Sequence, residues 1–203
     1  MNSKGNVPSA AKPVKDLGGL MRWRKYVKCH YSQKHYVFFI LALDTGIAPG
    51  KLLKLAWEQI ENQTIFDPVS GEQLEMTLLR LSELTKTCNK MLIRISDDDA
   101  QEIKQLRAAT ANDVYLFQTE TRRLSGTAQP WSQGYVTAFL KESAASSGLK
   151  EKVGFLTLQK TWGYQLVVRG NYALSEIQRI LGQRSLAATR NYLNITDKDI
   201  QEL

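Results

Sequence analysis

The 203-residue sequence contains few of the residues that build metal centres and disulfide frameworks. Its two cysteines, Cys29 and Cys88, cannot form a disulfide-rich scaffold, so we expect a reducing compartment. Its only histidines, His30 and His35, argue against a histidine-rich metal site. The longest apolar run, residues 36–43, is far shorter than the roughly 18 residues that a membrane-spanning helix needs. We therefore expect no metal, no other cofactor and no membrane association.

The N-terminal region is nearly free of acidic residues. Residues 1–36 contain eight lysines and arginines but only one acid, Asp16, which gives this region a charge of +7. Residues 37–203 hold equal numbers of basic and acidic groups, so they sum to zero. A basic segment on a neutral body favours a polyanionic partner, because neutralising phosphates releases counterions. The stretch 1–19, which contains prolines, glycines and lysines, is predicted to be a flexible basic arm.

Aromatic and cationic residues alternate in Arg22-Trp23-Arg24-Lys25-Tyr26. In nucleic-acid-binding proteins aromatic rings stack on bases while cations contact phosphates, so this pattern favours a nucleic-acid partner. A solubilising tail is the alternative explanation of the same charges. An anionic membrane surface is disfavoured, because the segment has little apolar face to insert. The N-terminus also lacks the apolar stretch of a signal peptide, which predicts a cytoplasmic protein.

The hydrophobic periodicity changes twice along the chain. It is helical over residues 20–44, and Pro49 suits the first turn of a following helix. Residues 60–66 and 74–81, separated by a turn, predict a β-hairpin, and residues 91–95 predict a third strand. Helices are then predicted from Asp97, as N-cap, to about residue 107, and over residues 132–145, 157–168, 175–181 and 186–193. The order predicts one mostly helical α+β domain with a small three-stranded antiparallel sheet.

Three short segments carry chemical information through their order and separation. They are Thr45-Gly46-Ile47-Ala48, then Lys160-Thr161-Trp162-Gly163, and finally Leu181-Gly182-Gln183, which is followed nine residues later by Tyr192. Taken alone, each is an ordinary helix end or surface pattern. Together they resemble the catalytic domain of the tyrosine recombinases, the phage integrase family, and the resemblance covers about residues 20–203.

The resemblance implies a specific chemistry. In that family a tyrosine attacks the scissile phosphate and forms a 3′-phosphotyrosyl bond. Two arginines brace the phosphate oxygens, a lysine on the β-hairpin protonates the leaving group, and two histidines assist. The cations matter because the pentacoordinate phosphate gathers negative charge.

Only two of these six positions keep the residue that the family's chemistry needs. Tyr192 occupies the nucleophile position, and Lys86 the hairpin lysine position, with Lys90 as a second candidate. The other positions hold uncharged residues: Ala48 and Gln159 replace the arginines, and Leu156 and Gln183 replace the histidines. Losing one transition-state donor commonly costs about 10²–10³ in rate, so the loss of four predicts an inactive protein.

We therefore predict a catalytically inactive, DNA-binding relative of the recombinases, a regulator or accessory factor of a bacterial mobile element, plasmid or phage. Two alternatives stay open. The first is an active recombinase whose rearranged site uses Lys160, Arg169 or Arg184. The second is a protein-interaction module that modulates a recombinase.

Duplex DNA is the expected partner. Phosphate contacts are predicted for Arg22, Arg24, Lys25, Lys28, Lys34, Lys51, Lys90, Lys160, Arg184 and Arg190. The resemblance also implies a separate core-binding domain, for which the sequence leaves no room beside the domain at residues 20–203. Family members exchange a C-terminal segment between neighbours, and residues 194–203 are the candidate for such a homo-oligomer here.

Overall fold

Helices dominate the computed structural model, which describes residues 11–66, 71, 73–80, 92–119, 128–170 and 172–201. Helices α1 to α9 are Leu17–His30, Gln33–Asp44, Pro49–Leu52, Asp97–Ala109, Gln133–Ser146, Thr157–Arg169, Leu174–Leu181, Leu186–Leu193 and Asp197–Gln201. Strands β1 to β3 are Ile60–Phe66, Gln73–Arg80 and Leu92–Arg94. The predicted α+β class with a three-stranded antiparallel sheet is confirmed.

Helix α2 is the centre of the core. Its residues 36–43 are all buried, and the helix packs against α1, α4 and α6. The prediction that this apolar run forms a buried helix is confirmed. The helical pattern predicted over residues 20–44 is divided, however, because Tyr31 and Ser32 adopt extended backbone between α1 and α2. The main core continues into the sheet and α5, while α6, α7 and α8 enclose a smaller apolar cluster.

The sheet is a hairpin with a short third strand. Strands β1 and β2 pair antiparallel with Ile60 opposite Leu79, and Leu79 in turn lies opposite Ile93 of β3. Leu79 is fully buried and ties the sheet to the main core. The helix that follows, α4, is capped by the Ser96 side chain, which accepts a hydrogen bond from the Asp99 N–H at 3.3 Å. The prediction that Asp97 is the N-cap was therefore one residue late.

Residues 11–16 do not form the flexible segment that the sequence predicts. Val14 is fully buried, and its N–H donates to the Thr161 hydroxyl at 2.9 Å. The Gln165 side chain on the next turn of α6 donates to the Val14 carbonyl at 3.1 Å. Helix α1 begins at Leu17, so the domain starts earlier than predicted, and residues 1–10 of the predicted arm lie outside the described residues. Within the described part of the chain, no helix is long and apolar enough to cross a membrane.

Two glycines with left-handed backbone provide a matched stability test. Gly46 has φ +66° and a Cβ there would lie 2.4 Å from the Trp162 indole, whereas Gly182 has φ +64° and open space around it. We expect Gly182→Ala to destabilise the fold by about 1 kcal/mol, the cost of the backbone conformation alone. Gly46→Ala adds steric overlap and should cost about 3 kcal/mol or more. Urea unfolding of both variants measures the difference, and equal losses would contradict the close packing of Gly46 on Trp162.

Candidate functional site

The three segments singled out in the sequence meet through one glutamine. Gln159 lies in the first turn of α6, and its Nε2 donates to the Gly46 carbonyl at 2.8 Å. The Tyr192 hydroxyl, on α8, donates to Gln159 Oε1 at 2.7 Å. Gly46 reaches this position because its left-handed backbone turns the chain sharply between α2 and α3. The order and spacing of the segments therefore correspond to a physical site.

Tyr192 is held in its neutral form. Its ring is partly buried, and this burial raises the pKa of the phenol to about 12. Among the described residues, the hydroxyl forms its one hydrogen bond with Gln159, an uncharged partner. The Lys160 ammonium lies 4.9 Å from the ring centroid rather than on the hydroxyl. No cation in the described part of the chain is hydrogen-bonded to the hydroxyl to favour a phenolate.

Lys160 is buried beneath the N-terminal segment. The residue is only 6% exposed, and its Nζ donates to the Ala11 carbonyl at 2.8 Å. Burial lowers the pKa of the ammonium from its ordinary value. The Lys160 ammonium therefore lies near the Tyr192 ring, but its hydrogen bond goes to the backbone of the same chain.

Three other positions of the predicted site take no part in this hydrogen-bond chain. Ala48 is the N-cap of α3 and Leu156 the N-cap of α6, and neither offers a side-chain hydrogen bond. Gln183 follows the left-handed Gly182, and its carbonyl accepts from the Gln178 side chain at 3.1 Å. Lys86 and Lys90 lie outside the described residues, so their predicted places in the site stay predictions.

A groove opens beside Leu156. It has a volume of about 860 Å³ and runs between α5 and the loop that precedes α6. Its lining includes Val153, Phe155 and Leu156, with Lys141 and Lys152 as the charged residues and no acid. The sequence alone did not indicate this groove, because Lys141 and Lys152 lie in unremarkable polar stretches.

Three of the residues predicted to contact DNA form ion pairs with acidic residues of the same chain. Arg24 binds Asp99 at 3.0 Å and the Tyr36 hydroxyl at 3.3 Å, and Lys28 pairs with Glu102 at 2.7 Å. Lys34 is 7% exposed; it donates to Asp113 at 3.1 Å and to the Gln118 carbonyl at 3.0 Å. These bonds join α1 and α2 to their neighbours. Lys34 is buried and cannot reach DNA as it stands, whereas Arg24 is partly exposed and Lys28 exposed, so their DNA contacts stay predictions.

The aromatic part of the same motif is corrected as well. Trp23 is fully buried, and its indole N–H donates to the Ser143 hydroxyl at 2.9 Å. It therefore anchors α1 on α5 and cannot stack on a base. The neighbouring Arg22 and Lys25 are exposed, as a phosphate contact requires.

The remaining predicted contacts differ in their exposure. Arg184 is exposed just before α8, and Lys51 is partly exposed on α3. Arg190 is bound to its own chain, since it donates to the Ile195 carbonyl at 3.2 Å and pairs with Asp197. Arg184 directly follows the segment Leu181-Gly182-Gln183, and Lys51 lies three residues after Ala48. At these landmark segments, they are the cations most available to an external phosphate.

A polar cluster that the sequence did not predict links the two ends of the described chain. Asp199 of α9 accepts from Lys15 at 2.6 Å and from the Tyr164 hydroxyl at 2.8 Å. Partial burial opposes ionisation, but these bonds and those from Thr196 outweigh it and hold the pKa of Asp199 below its ordinary value. The C-terminal helix is therefore docked on its own chain, and its exchange between neighbours stays a prediction.

Comparison with known proteins identifies the family. The sequence pattern of the phage integrase family matches residues 19–199. The chain belongs to the phage integrase family. No curated protein matches the sequence. Among the described residues, no cluster of three or more histidines, cysteines or acids could hold a metal ion.

Solved recombinases and integrases share the fold of this phage integrase family member. It matches the XerA recombinase with a TM-score of 0.69 and 15% identity, covering 98% of this chain and 65% of XerA. The XerH recombinase bound to its difH substrate matches with a TM-score of 0.65 and 17% identity, covering 100% of this chain and 54% of XerH. The Tn1549 transposon integrase in complex with circular intermediate DNA matches with a TM-score of 0.60 and 13% identity, covering 98% of this chain and 66% of that integrase. The chain thus spans roughly half to two thirds of these proteins, and identities this low show the fold alone.

The state of Tyr192 can be measured directly. We expect the difference in phenolate absorbance between the wild type and Tyr192→Phe to appear with a midpoint near pH 12. The physical reason is the loss of solvation of the charged form, which burial imposes. Circular dichroism at each pH confirms that the protein is folded. A midpoint near the ordinary value of about 10 would show that the site does not disfavour the phenolate.

Proposed function

We propose that this phage integrase family member is catalytically inactive, binds duplex DNA, and acts as a regulator or accessory factor of a mobile element, plasmid or phage. The observation that carries the proposal is the hydrogen bond from Tyr192 to Gln159. A residue that should brace a phosphate with positive charge is instead an uncharged partner of the nucleophile.

The chemistry of this arrangement opposes phosphoryl transfer. With a pKa near 12, only about one Tyr192 in 10⁵ would be ionised at neutral pH. Gln159 is oriented by Gly46 and Tyr192, so it carries no charge to a developing pentacoordinate phosphate. The other arginine position, which comes first in the sequence, holds Ala48, whose side chain has no polar atom. Since preplaced charge is usually the largest contribution to such catalysis, we infer a rate close to the uncatalysed one.

DNA binding needs less than catalysis does. Exposed cations suffice for phosphate contacts, and Arg184 and Lys51 provide them on the landmark segments. The groove beside Leu156 adds two lysines and no acid. The XerH and Tn1549 proteins of the same fold were solved in complexes with DNA, which supports the same class of partner here.

One observation favours an active recombinase as a second candidate. Lys160 lies 4.9 Å from the Tyr192 ring centroid, so a cation is close to the nucleophile. If Lys160 moved onto the phosphate, it would replace part of the lost charge. Tyr192→Phe separates the candidates: only an active recombinase needs this hydroxyl for its function.

DNA binding is tested by a salt series with random-sequence duplex and the full chain. We expect a dissociation constant of about 1–100 μM at physiological salt, weakening steeply as salt rises. Arg184→Gln and Lys51→Gln should each weaken binding and reduce the slope of log affinity against log salt by about 1.

The matched control is Lys104→Gln. Lys104 is an exposed lysine on α4, away from the landmark segments, and should change neither affinity nor slope. If the wild type does not bind duplex at low salt, the DNA-binding proposal fails and a protein-interaction module becomes the better reading. If Lys104→Gln acts like Arg184→Gln, the contact surface lies elsewhere.

A further inference from the structure

The segment of residues 11–16, called the strap below, is the first described part of the chain. It contacts both α6, in the candidate site, and Asp199 of α9 near the C-terminal end. Its Ala11 carbonyl accepts from Lys160, and its Val14 backbone bonds Thr161 and Gln165 on successive turns of α6. The strap is therefore attached directly to the helix that carries Gln159.

The strap lies on the surface of the domain without regular secondary structure. Three of its side chains, Ala11, Pro13 and Val14, are buried, and hydrogen bonds hold the rest. The Lys12 N–H donates to the Lys152 carbonyl at 3.2 Å, and Lys15 binds Asp199 at 2.6 Å. Because the segment lies outside regular secondary structure, we expect it to open at a lower free energy than the whole domain unfolds.

Lys160 is the residue whose surroundings the strap changes most. It is a cation next to Tyr192, but it is 6% exposed and its ammonium is bonded to the strap's Ala11 carbonyl. A lysine ammonium is strongly hydrated, so a buried one is held there only by its partners. Removing the Ala11 carbonyl would leave the ammonium without that partner, 4.9 Å from the centroid of the Tyr192 ring.

We propose that the strap withholds Lys160 from external phosphates, and that release of the strap makes Lys160 an additional phosphate contact beside Tyr192. The DNA part of this proposal rests on the proposed function above. The sheltering of Lys160 does not, and it can be measured without DNA.

The first test measures the chemical accessibility of Lys160. Val14→Asn places an uncharged polar group in an apolar site and should release the strap without changing the net charge. We expect Lys160 to be acylated by an amine-reactive reagent about tenfold faster in Val14→Asn than in the wild type, measured by peptide mass spectrometry. Lys54, which is exposed in both proteins, is the internal reference. An unchanged rate at Lys160 would overturn the proposal.

Lys15→Gln is a second release variant in case Val14→Asn does not fold. It removes the bond to Asp199 at the edge of the strap while leaving the core intact. A smaller rise in Lys160 acylation, about threefold, is expected. If Lys15→Gln is folded and Lys160 is not acylated faster than in the wild type, the result would likewise contradict the proposal that the strap shelters Lys160.

The second test measures duplex binding in a double-mutant cycle of Val14→Asn and Lys160→Gln. We expect Val14→Asn to tighten binding about three- to tenfold and to steepen the salt dependence, and both effects should vanish when Lys160 is glutamine. A gain that persists in the Lys160→Gln background would contradict the role of Lys160. Faster acylation with no binding by any variant would keep the sheltering of Lys160 but sink the proposed DNA-binding function, so the two failures are distinguishable.

Discussion

The Gln159 carboxamide is the interaction on which the arrangement of the site depends. It joins α6 to the turn at Gly46 on one side and to Tyr192 of α8 on the other. These contacts hold together three segments that are far apart in the sequence. A guanidinium could not make the same pair of bonds, because it has no acceptor for the Tyr192 hydroxyl. The neutral side chain therefore stabilises the fold of the site in a way that an arginine would not.

Several basic residues that were predicted to contact DNA are bound within the chain: Lys160 to Ala11, Arg190 to Asp197, and Arg24 to Asp99. A buried cation needs such partners, because an unpaired one would carry a large desolvation cost. The positive charge of the described residues is thus divided between internal pairs and many exposed side chains, among them Arg184, with Lys51 partly exposed. That division is compatible with binding a polyanion and unfavourable for bracing a transition state.

The elements that were predictable from sequence are those with strong local patterns. The hairpin follows from alternating residues around a turn, and α2 follows from its apolar run. The site was predictable only as a set of positions, through the order of the landmark segments. The pairing of Tyr192 with Gln159 could not be predicted, because it depends on where a side chain 33 positions away points after folding.

Long-range pairing also explains the wrong predictions. Lys34 looked like a surface cation, but its partner Asp113 lies 79 positions along the chain. The segment 11–16 looked flexible because it belongs to residues 1–19, a stretch with prolines, glycines and lysines. Yet Ala11, Pro13 and Val14 are buried, and the Val14 N–H is bonded to Thr161 of α6. Composition describes the average behaviour of a segment, whereas such docking depends on individual complementary contacts.

The most direct test of the central claim is a search for a covalent bond between Tyr192 and DNA. The wild type and Tyr192→Phe are incubated with supercoiled plasmid, the reaction is stopped with detergent, and protein–DNA adducts and relaxed plasmid are quantified. We predict that the two proteins are indistinguishable, with no adduct and no relaxation, because four of the six family positions hold uncharged residues. An adduct or relaxation that appears with the wild type and disappears with Tyr192→Phe would contradict the account and establish an active recombinase with a rearranged site.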